Sequence, residues 1–379
     1  MIDDSALKAA IGAANIPGAS VALIDRDGTT YSRAFGHADI AAETPMREDT
    51  VVQIASMTKA ITSIAAMQLV EAGRLSLDAP IGDVLPELAA PEVLTGFADD
   101  GTPQSRPATR PITLRHLLTH TAGFGYPFIH PDILRWFAPK GLPPGNWKAG
   151  IRMPLMFDPG DRWEYSVATD WAGQVVEAVS GQNLQDYFIE HITGPLGMGA
   201  TRFRASDEMP QGAAKVHVRT PEGSLSPVGM HIQGGDFFSG GGGLSSTAPD
   251  YARFVRMLLN GGTLDGVRIV SPATIADMTR NQVAPLRAGY MGSAMPEFAP
   301  PYDAIPDQHT GWGLGFLINP QAGPNGRSPG SQHWAGIFNS YYWFDPAKGV
   351  GGVFMSQLAP FGDSGALAAF GALERMAYA

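Results

Sequence analysis

Cysteine is absent from all 379 residues of the chain. Without a thiol there is no disulfide, no cysteine nucleophile and no cysteine ligand for a metal. Basic residues are also few, since 26 Lys and Arg stand against 36 Asp and Glu and give a net charge of −10. No basic cluster is available for nucleic acid or for an anionic membrane surface. We therefore expect no nucleic acid partner, and a nucleophile, if there is one, that is not sulfur.

Long apolar runs are lacking as well, and none is long enough to cross a bilayer. The N-terminal residues Met1-Ile2-Asp3-Asp4 are acidic and provide neither the basic nor the apolar region of a signal peptide. These two absences predict a cytoplasmic protein without a membrane partner. Hydrophobic residues nevertheless make up 44% of the chain, which is enough for a large core shared by two subdomains or divided between two domains.

One stretch, residues 51–73, combines a buried helix with reactive groups at its start. From residue 60 to 70 apolar side chains fall on every side at helical spacing, which predicts a helix without a solvent face. Ser56 and Lys59 lie three residues apart at its N-terminal end, so the hydroxyl and the amine share one face. The helix dipole and burial both disfavour a charged amine there, and an uncharged amine can activate the serine as a nucleophile.

Strands at the two ends of the chain surround a helical middle. Near the N-terminus, strands over residues 18–24 and 29–35 are joined by an Asp-Gly turn. Near the C-terminus, strands are predicted over 312–318, 332–344 and 350–357, followed by a helix over 364–379. We predict an α/β (α+β) fold in which residues 1–80 and 306–379 form an antiparallel sheet flanked by the terminal helices. Residues 81–305 then form a mostly helical domain, with the active site between the two.

The S-x-x-K tetrapeptide of Ser56 and Lys59 arises often by chance, and alone it also fits a helix N-cap beside a surface lysine. Two further segments strengthen the catalytic interpretation. Tyr165-Ser166-Val167 lies on a loop before a helix, and Trp334-Ala335-Gly336 lies on a predicted strand. In this order the three segments occupy the places of the S-x-x-K, loop and strand motifs of penicillin-binding proteins and β-lactamases.

With these motifs and the segments 114–123 and 241–248, the chain resembles the serine β-lactamase-related superfamily over nearly its whole length. It is most similar to the family VIII carboxylesterases, which resemble class C β-lactamases in fold but carry tryptophan in place of the lysine of the third motif. Trp334 is that tryptophan. The resemblance implies a β-lactamase/transpeptidase-like fold and a serine hydrolase that needs no cofactor and no metal.

The resemblance also implies roles for individual residues. Ser56 would be the acyl-accepting nucleophile, with Lys59 and Tyr165 sharing the general-base work. The backbone N–H groups of Ser56 and Ile337 would form the oxyanion hole. The residues expected at the substrate are Trp334, Gly336, Phe124, Tyr126, Phe128 and Val167.

Two departures from the lactamase pattern indicate the substrate class. Val167 and Trp334 replace an asparagine and a lysine that help to hold the amide and the carboxylate of a β-lactam. An uncharged ester with a small acyl group needs neither anchor, and the aromatic residues suit an apolar group. Phe338 is expected in the ordinary core. We therefore predict a carboxylesterase acting on short-chain esters, with a small-molecule ester as its partner.

Other activities stay open on this scaffold, because a fold does not determine its substrate. A β-lactamase, a D-amino-acid peptidase or an acyltransferase would use the same motifs. A penicillin-recognising protein that binds without turnover is a further alternative, although the presence of Ser56, Lys59 and Tyr165 together argues against it.

Three other patterns are assigned structural roles. Residues 326–330 match G-x-S-x-G around Ser328, but Pro329 lacks the N–H that the oxyanion hole needs and a strand follows in place of a helix, so we predict a turn. His116 and His120 are spaced like a metal pair but lack the glutamate of a zincin, and His333 is expected to point away from Trp334. The glycine run 234–244 lacks a phosphate-loop ending and indicates close backbone packing.

Overall fold

The computed structural model describes residues 2–141, 148–204, 206–234 and 237–379. Its largest sheet has eight antiparallel strands drawn from both ends of the chain. In spatial order they are Gly311–Trp312, Leu317–Ile318, Gln332–Gly336, Ser340–Asp345, Val350–Ser356, Gly18–Asp25, Thr29–Asp39 and Thr44–Pro45. The two chain ends meet where Ala19 pairs with Ser356. The prediction of one antiparallel sheet built from both ends is confirmed.

Helices cover both faces of this sheet. The N-terminal helix, Ser5–Ala13, packs on the C-terminal helix, Ser364–Ala377, which lies against the strand Val350–Ser356. The helix Ala248–Leu259 packs on the other face of the same strand. A Cβ on Gly351 would touch Val255 of that helix. Phe354, three residues further along the strand, contacts Phe370 of the C-terminal helix. Residues an odd number of positions apart on a strand face opposite sides of the sheet, so the two helices lie on opposite faces.

Two elements that bear on the site are named here. The Ser56 helix is Thr58–Glu71, which follows the 3-10 turn Ala55–Met57, and its side chains are buried from Thr58 to Met67. The Trp334 strand is Gln332–Gly336. The predicted absence of a solvent face on the Ser56 helix is confirmed for all but its last turn.

The segment 81–305 carries most of the helices together with short sheets. Its other helices are Leu114–Leu118, Pro131–Phe137, Lys148–Ile151, Ala168–Ser180, Leu184–Phe188 and Pro272–Thr279, with the π-helical turn Ile189–Thr193 and the 3-10 turns Ile81–Asp83, Pro86–Leu88 and Ser206–Glu208. The short strands pair as Glu92–Phe97 with Pro103–Pro107, Thr263–Leu264 with Val267–Arg268, and Tyr290–Met291 with Tyr302–Asp303. There are also two three-stranded sheets. One consists of Val52–Gln53, Leu244–Ser246 and Arg202–Phe203. The other consists of Leu358–Ala359, Val216–Arg219 and Leu225–Val228. The division into two domains stays a prediction.

Two segments predicted as single strands are hairpins. Residues 312–318 contain a turn at Gly315, whose φ of +104° a glycine adopts without strain. Residues 332–344 turn back at Asn339, which has a φ of +58° and whose amide donates to the carbonyls of Leu358 and Pro360, both at 2.8 Å. Apolar side chains continue through both turns, so hydrophobic periodicity does not reveal them. Ile337 therefore lies in a turn beyond the Trp334 strand.

In the described ranges no helix has the length and apolar character to span a bilayer.

Candidate active site

Ser56 lies in a tight turn immediately before the Ser56 helix. The preceding Ala55 has a φ of +46°, in the left-handed region that a residue with a Cβ seldom adopts. The Trp334 strand passes close by, because a Cβ on Gly336 would lie 2.4 Å from the carbonyl oxygen of Ile54. The strained turn and the close backbone approach hold Ser56 between the helix and the strand.

Lys59 directs its amine at Ser56. Its side chain is 1% exposed, and Lys59 Nζ lies 3.2 Å from Ser56 Oγ. Two other oxygens surround the amine, the Gly241 carbonyl at 2.6 Å and the Tyr126 hydroxyl at 3.0 Å. A carbonyl only accepts, so one N–H of Lys59 is committed to Gly241. A neutral amine that gives its second N–H to Tyr126 presents its lone pair to the Ser56 hydroxyl.

Tyr165 is buried beside the same amine, with Lys59 Nζ 4.7 Å from its ring centroid. The Tyr165 hydroxyl accepts a hydrogen bond from Trp334 Nε1 at 3.0 Å, and the two rings lie 4.9 Å apart. Among the hydrogen bonds of the described residues, Lys59 binds the hydroxyl of Tyr126 and not that of Tyr165. Tyr126, expected only as an apolar wall, therefore also brings a hydroxyl to the amine.

Burial keeps two neighbours of Lys59 uncharged. Burial, reinforced by Asp170 and Tyr165, holds the pKa of Tyr126 well above its ordinary value, so the hydroxyl keeps its proton. Burial and the nearby Lys59 hold the pKa of His120 well below its ordinary value. The His120 ring lies 4.8 Å from the Tyr165 ring. A neutral phenol and a neutral imidazole thus stand around the amine.

Asp170, on the helix after Tyr165, anchors the glycine loop that contacts Lys59. Its Oδ1 accepts hydrogen bonds from Gly241 N at 2.9 Å and from the Ser239 hydroxyl. A Cβ on Gly241 would lie 2.3 Å from Asp170 Oδ2, so the loop admits only glycine at this point. Burial raises the pKa of Asp170, while Lys59 and these hydrogen bonds act in the opposite direction. The carboxyl thereby positions Gly241, whose carbonyl accepts the hydrogen bond from Lys59.

Two cavities meet at Ser56, Phe128 and Ile337. The smaller, of about 40 Å³, is otherwise lined by Ile129, Tyr165, Met291, Gly292, Ala299, Pro300, Trp334, Ala335 and Phe361. The larger, of about 310 Å³, is otherwise lined by Ala55, Tyr126, Met230, His231, Ile232, Gly241, Gly242, Phe298 and Phe338. Ser56 therefore lies where the two cavities join, and the larger one has room for an organic group beside it.

The structure brings most of the expected site residues to these cavities. Trp334 and Tyr165 line the smaller one, Tyr126 the larger, and Phe128 and Ile337 both. Phe338 is 1% exposed, as expected for the core, and still forms part of the larger wall.

Three expected substrate residues lie outside the lining of both cavities. Phe124 is 2% exposed and stacks on Trp171 at 6.2 Å, away from Ser56. Val167 is buried at the start of the helix that carries Asp170. Gly336 allows the strand to approach the Ser56 turn and faces backbone instead of the cavity.

The patterns assigned structural roles are accounted for in the fold. Ser328 precedes a turn that leads directly into the Trp334 strand, as predicted. His116 Nδ1 accepts from Thr113 N at 3.2 Å and caps its own helix, which ends at Leu118, before His120.

Close packing of the glycine run is confirmed at Gly240, Gly241 and Gly243, where a Cβ would lie under 3.0 Å from a neighbouring atom. The run's Gly235 and Asp236 lie outside the described residues.

Some site residues escaped the sequence-based prediction. Met291, Ala299 and Phe361 line the smaller cavity from segments without a recognisable motif. Asp170 carried no local signal, because its partners Ser239 and Gly241 lie 69 and 71 residues further along the chain.

Comparison with known proteins agrees with this geometry. The family described as beta-lactamase matches residues 4–375. Lovastatin esterase from Penicillium rubens is 34% identical over 367 residues, which cover 92% of this chain and 91% of that protein. Monacolin J acid methylbutanoyltransferase from Aspergillus terreus is 32% identical over 388 residues, covering 95% and 91% of the two chains.

The fold is shared with a solved relative. The unliganded structure of simvastatin synthase from Aspergillus terreus superposes with a TM-score of 0.84 and 30% identity, covering 99% of this chain and 96% of that one. These relatives include an esterase and acyltransferases, and their similarity runs the length of the chain. The protein is therefore an enzyme of the serine hydrolase type and belongs to the β-lactamase family.

Proposed function

We propose that the protein is a serine carboxylesterase that hydrolyses uncharged, short-chain carboxylic esters through an acyl-enzyme on Ser56. The observation that carries the proposal is the position of Lys59, whose amine lies 3.2 Å from Ser56 Oγ while Gly241 and Tyr126 stand at its other hydrogen-bonding positions. A base within hydrogen-bond reach of a hydroxyl is what an oxygen nucleophile requires. The similarity to lovastatin esterase supports ester hydrolysis.

Acylation follows from this geometry. Ser56 Oγ attacks the carbonyl carbon of the ester as its proton passes to Lys59 Nζ. The carbonyl oxygen becomes an oxyanion, for which the backbone N–H groups of Ser56 and Ile337 are the proposed donors. The bond to the alcohol oxygen then breaks, the proton passes to that oxygen, and a neutral alcohol leaves an acyl group on Ser56.

Tyr165 is assigned a share in the second proton transfer. Its oxygen accepts the Trp334 N–H at 3.0 Å, so its own hydrogen is free to donate toward the smaller cavity, which Tyr165 lines with Ser56. Donation toward the departing oxygen is the role that this position favours.

Deacylation uses the same groups in the reverse order. Lys59 takes a proton from water, the oxygen attacks the acyl carbon, and the proton returns to Ser56 Oγ as the acid departs. The proposed steps use no metal and no cofactor.

The lining of the cavities supports an uncharged substrate. Met291, Ala299, Pro300 and Phe361 surround the smaller cavity with apolar surface. Trp334, which stands in place of the lysine that holds a β-lactam carboxylate, is bound to Tyr165 and offers no positive charge. These features are also those of a family VIII carboxylesterase.

The cytoplasmic location stays a prediction.

Acyl transfer to an alcohol is a second candidate function for the site at Ser56. Hydrolysis needs room for one organic group and a water molecule once the acyl-enzyme has formed, whereas transfer needs room for the acyl group and a second alcohol together. The larger cavity, of about 310 Å³, has room for an organic group beside Ser56, whereas the smaller, of about 40 Å³, has room for little more than water. Transfer is favoured by the similarity to the methylbutanoyltransferase of Aspergillus terreus.

A substrate panel tests the proposal. We expect kcat/KM for p-nitrophenyl acetate and butyrate to exceed that for nitrocefin and for a D-amino-acyl peptide, and Ser56→Ala to abolish turnover with the fold intact. Ser328→Ala, at the other serine motif, is the matched control and should leave activity unchanged. Faster turnover of nitrocefin or of the peptide, or retention of activity in Ser56→Ala, would contradict the proposal.

Product analysis separates hydrolysis from transfer. With p-nitrophenyl butyrate as donor, a bulky primary alcohol is added and the butyrate ester and free butyrate are quantified. If the rate of p-nitrophenol release stays constant while the new butyrate ester replaces free butyrate, both products come from one acyl-enzyme. Absence of the ester at saturating alcohol would restrict the enzyme to hydrolysis.

A further inference from the structure

A third cavity, of about 320 Å³, lies between the Trp334 strand and the C-terminal helix. The strand contributes His333, Trp334 and Ala335, and the helix contributes Leu367 and Phe370. Its volume is sufficient for a small organic molecule. Ser56 is not among the residues that line it.

This cavity has its own opening. Pro306 and Pro324 on its rim are exposed, and neither lines a cavity at Ser56. Trp334, Ala335 and Phe361 are shared with the smaller cavity at Ser56 and form the partition between the two. A ligand can therefore enter without passing the nucleophile, and still contact the strand that carries the indole bound to Tyr165.

The charges in the cavity wall cancel. Arg327 and Glu374 are 9% and 4% exposed and form an ion pair, and Asn325 Nδ2 donates to the second carboxylate oxygen at 2.7 Å. Burial and the neighbouring Arg327 hold the pKa of His333 well below its ordinary value, so the imidazole is neutral. A charged ligand would lose its hydration without finding an unpaired counter-ion here.

The remaining wall is apolar with a few amides. Ile305, Phe361, Leu367 and Phe370 supply the apolar surface, and Asn319 and Gln308 supply amide groups. In the described part of the chain, Gln308 Oε1 and His333 Nδ1 are enclosed and have no hydrogen-bond partner. Neutral polar groups set in an apolar wall are suited to a molecule with an apolar body and hydroxyl or amide groups.

We propose that this cavity is a second binding site, separate from the site at Ser56, for an uncharged amphiphilic small molecule. The apolar body packs on the C-terminal helix and the polar groups face Asn319, Gln308 and His333. Because the Trp334 strand borders both this cavity and the smaller cavity at Ser56, an occupied cavity changes the position of that strand and alters kcat.

Titration calorimetry with 1-O-octylglycerol tests the proposal, since this uncharged ether has no bond that the enzyme hydrolyses. We expect saturable one-to-one binding, with octanoate and octylamine at least tenfold weaker because each carries a charge. Leu367→Trp fills the cavity and should weaken binding at least tenfold. Ala368→Trp, the next residue of the same helix but exposed, is the matched control and should bind as the parent does.

Kinetics place the ligand relative to Ser56. Octylglycerol should change kcat for p-nitrophenyl acetate without the rise in KM that competition produces. Competitive inhibition, equal binding by octanoate, or undiminished binding by Leu367→Trp with a parental melting temperature would each overturn the proposal. If Leu367→Trp does not fold, Ala304→Phe closes the cavity from the opposite segment. If the enzyme does not turn over p-nitrophenyl acetate, the proposed esterase function is contradicted. The calorimetric test of this cavity does not depend on turnover and still decides the binding proposal.

Discussion

Replacing Tyr126 by phenylalanine removes a single oxygen and tests how Lys59 is oriented. The ring stays, with its stacking on Phe128 at 4.9 Å, while the hydroxyl 3.0 Å from Lys59 Nζ is lost. The amine keeps Gly241 at 2.6 Å and Ser56 at 3.2 Å, but one of its N–H groups has no acceptor at a site that is 1% exposed.

The loss should fall on kcat. A hydrogen bond to a charged group contributes about 1.5–3 kcal/mol, and the amine becomes charged as it takes the serine proton. If that contribution is made in the transition state, kcat/KM falls roughly 10- to 150-fold. KM should change little, because the aromatic wall that meets the substrate is retained.

Steady-state hydrolysis of p-nitrophenyl butyrate across the pH range is the assay. Tyr290→Phe serves as the control, since Tyr290 is 56% exposed and lines neither cavity at Ser56. Tyr165→Phe is the informative comparison: it leaves the Trp334 N–H without its acceptor and removes a proton donor, a role worth about 10²- to 10⁴-fold in rate. If Tyr126→Phe keeps kcat within twofold of the parent, the contact between Tyr126 and Lys59 plays no part in orienting the base.

Three further predictions follow from buried polar groups. Burial raises the pKa of Glu164 to about 7 from 4.5, so the folded state keeps a proton that the unfolded state loses between these values. The free energy of unfolding should therefore fall by about 3 kcal/mol as pH rises from 4.5 to 7 and then level off, and Glu164→Gln should flatten this change in urea denaturation. Asp170→Ala leaves the Gly241 N–H and the Ser239 hydroxyl unpaired at about 1–3 kcal/mol each, so melting temperature and kcat should both fall, with a smaller loss in Asp170→Asn. Trp334→Phe removes the N–H bound by Tyr165 and should lower kcat roughly 3- to 10-fold; an unchanged kcat would show that this bond does not position Tyr165.

Local patterns carried the most secure sequence-based predictions. The Ser56 helix was predictable because apolar residues occupy all its sides, and the contact between Ser56 and Lys59 because residues three apart on a helix are neighbours. The chain segments that form the antiparallel sheet were predictable, but the turn at Asn339 was not. The reason is that Ile337 and Phe338 continue the apolar run through the turn.

Contacts between distant segments were beyond the sequence. Tyr126 is 67 residues from Lys59, and no local pattern determines where its loop places the hydroxyl. The motif order predicted a place for Tyr165, but its hydrogen bond to Trp334 spans 169 residues and depends on how the helix and the strand pack. Motifs thus identified the groups, whereas packing determined which groups touch.

The pairing of Ala19 with Ser356 has a consequence for synthesis of the protein in the cell. The N-terminal strand emerges from the ribosome early and must wait for a partner made more than 300 residues later. At about 5–20 residues per second the delay is at least 15 s, during which an apolar strand edge stays unpaired. The same pairing closes the sheet that carries the Trp334 strand. Catalytic activity should therefore be absent from nascent chains until the strand Val350–Ser356 has been made, and until then the unpaired edge makes the chain a client for chaperones.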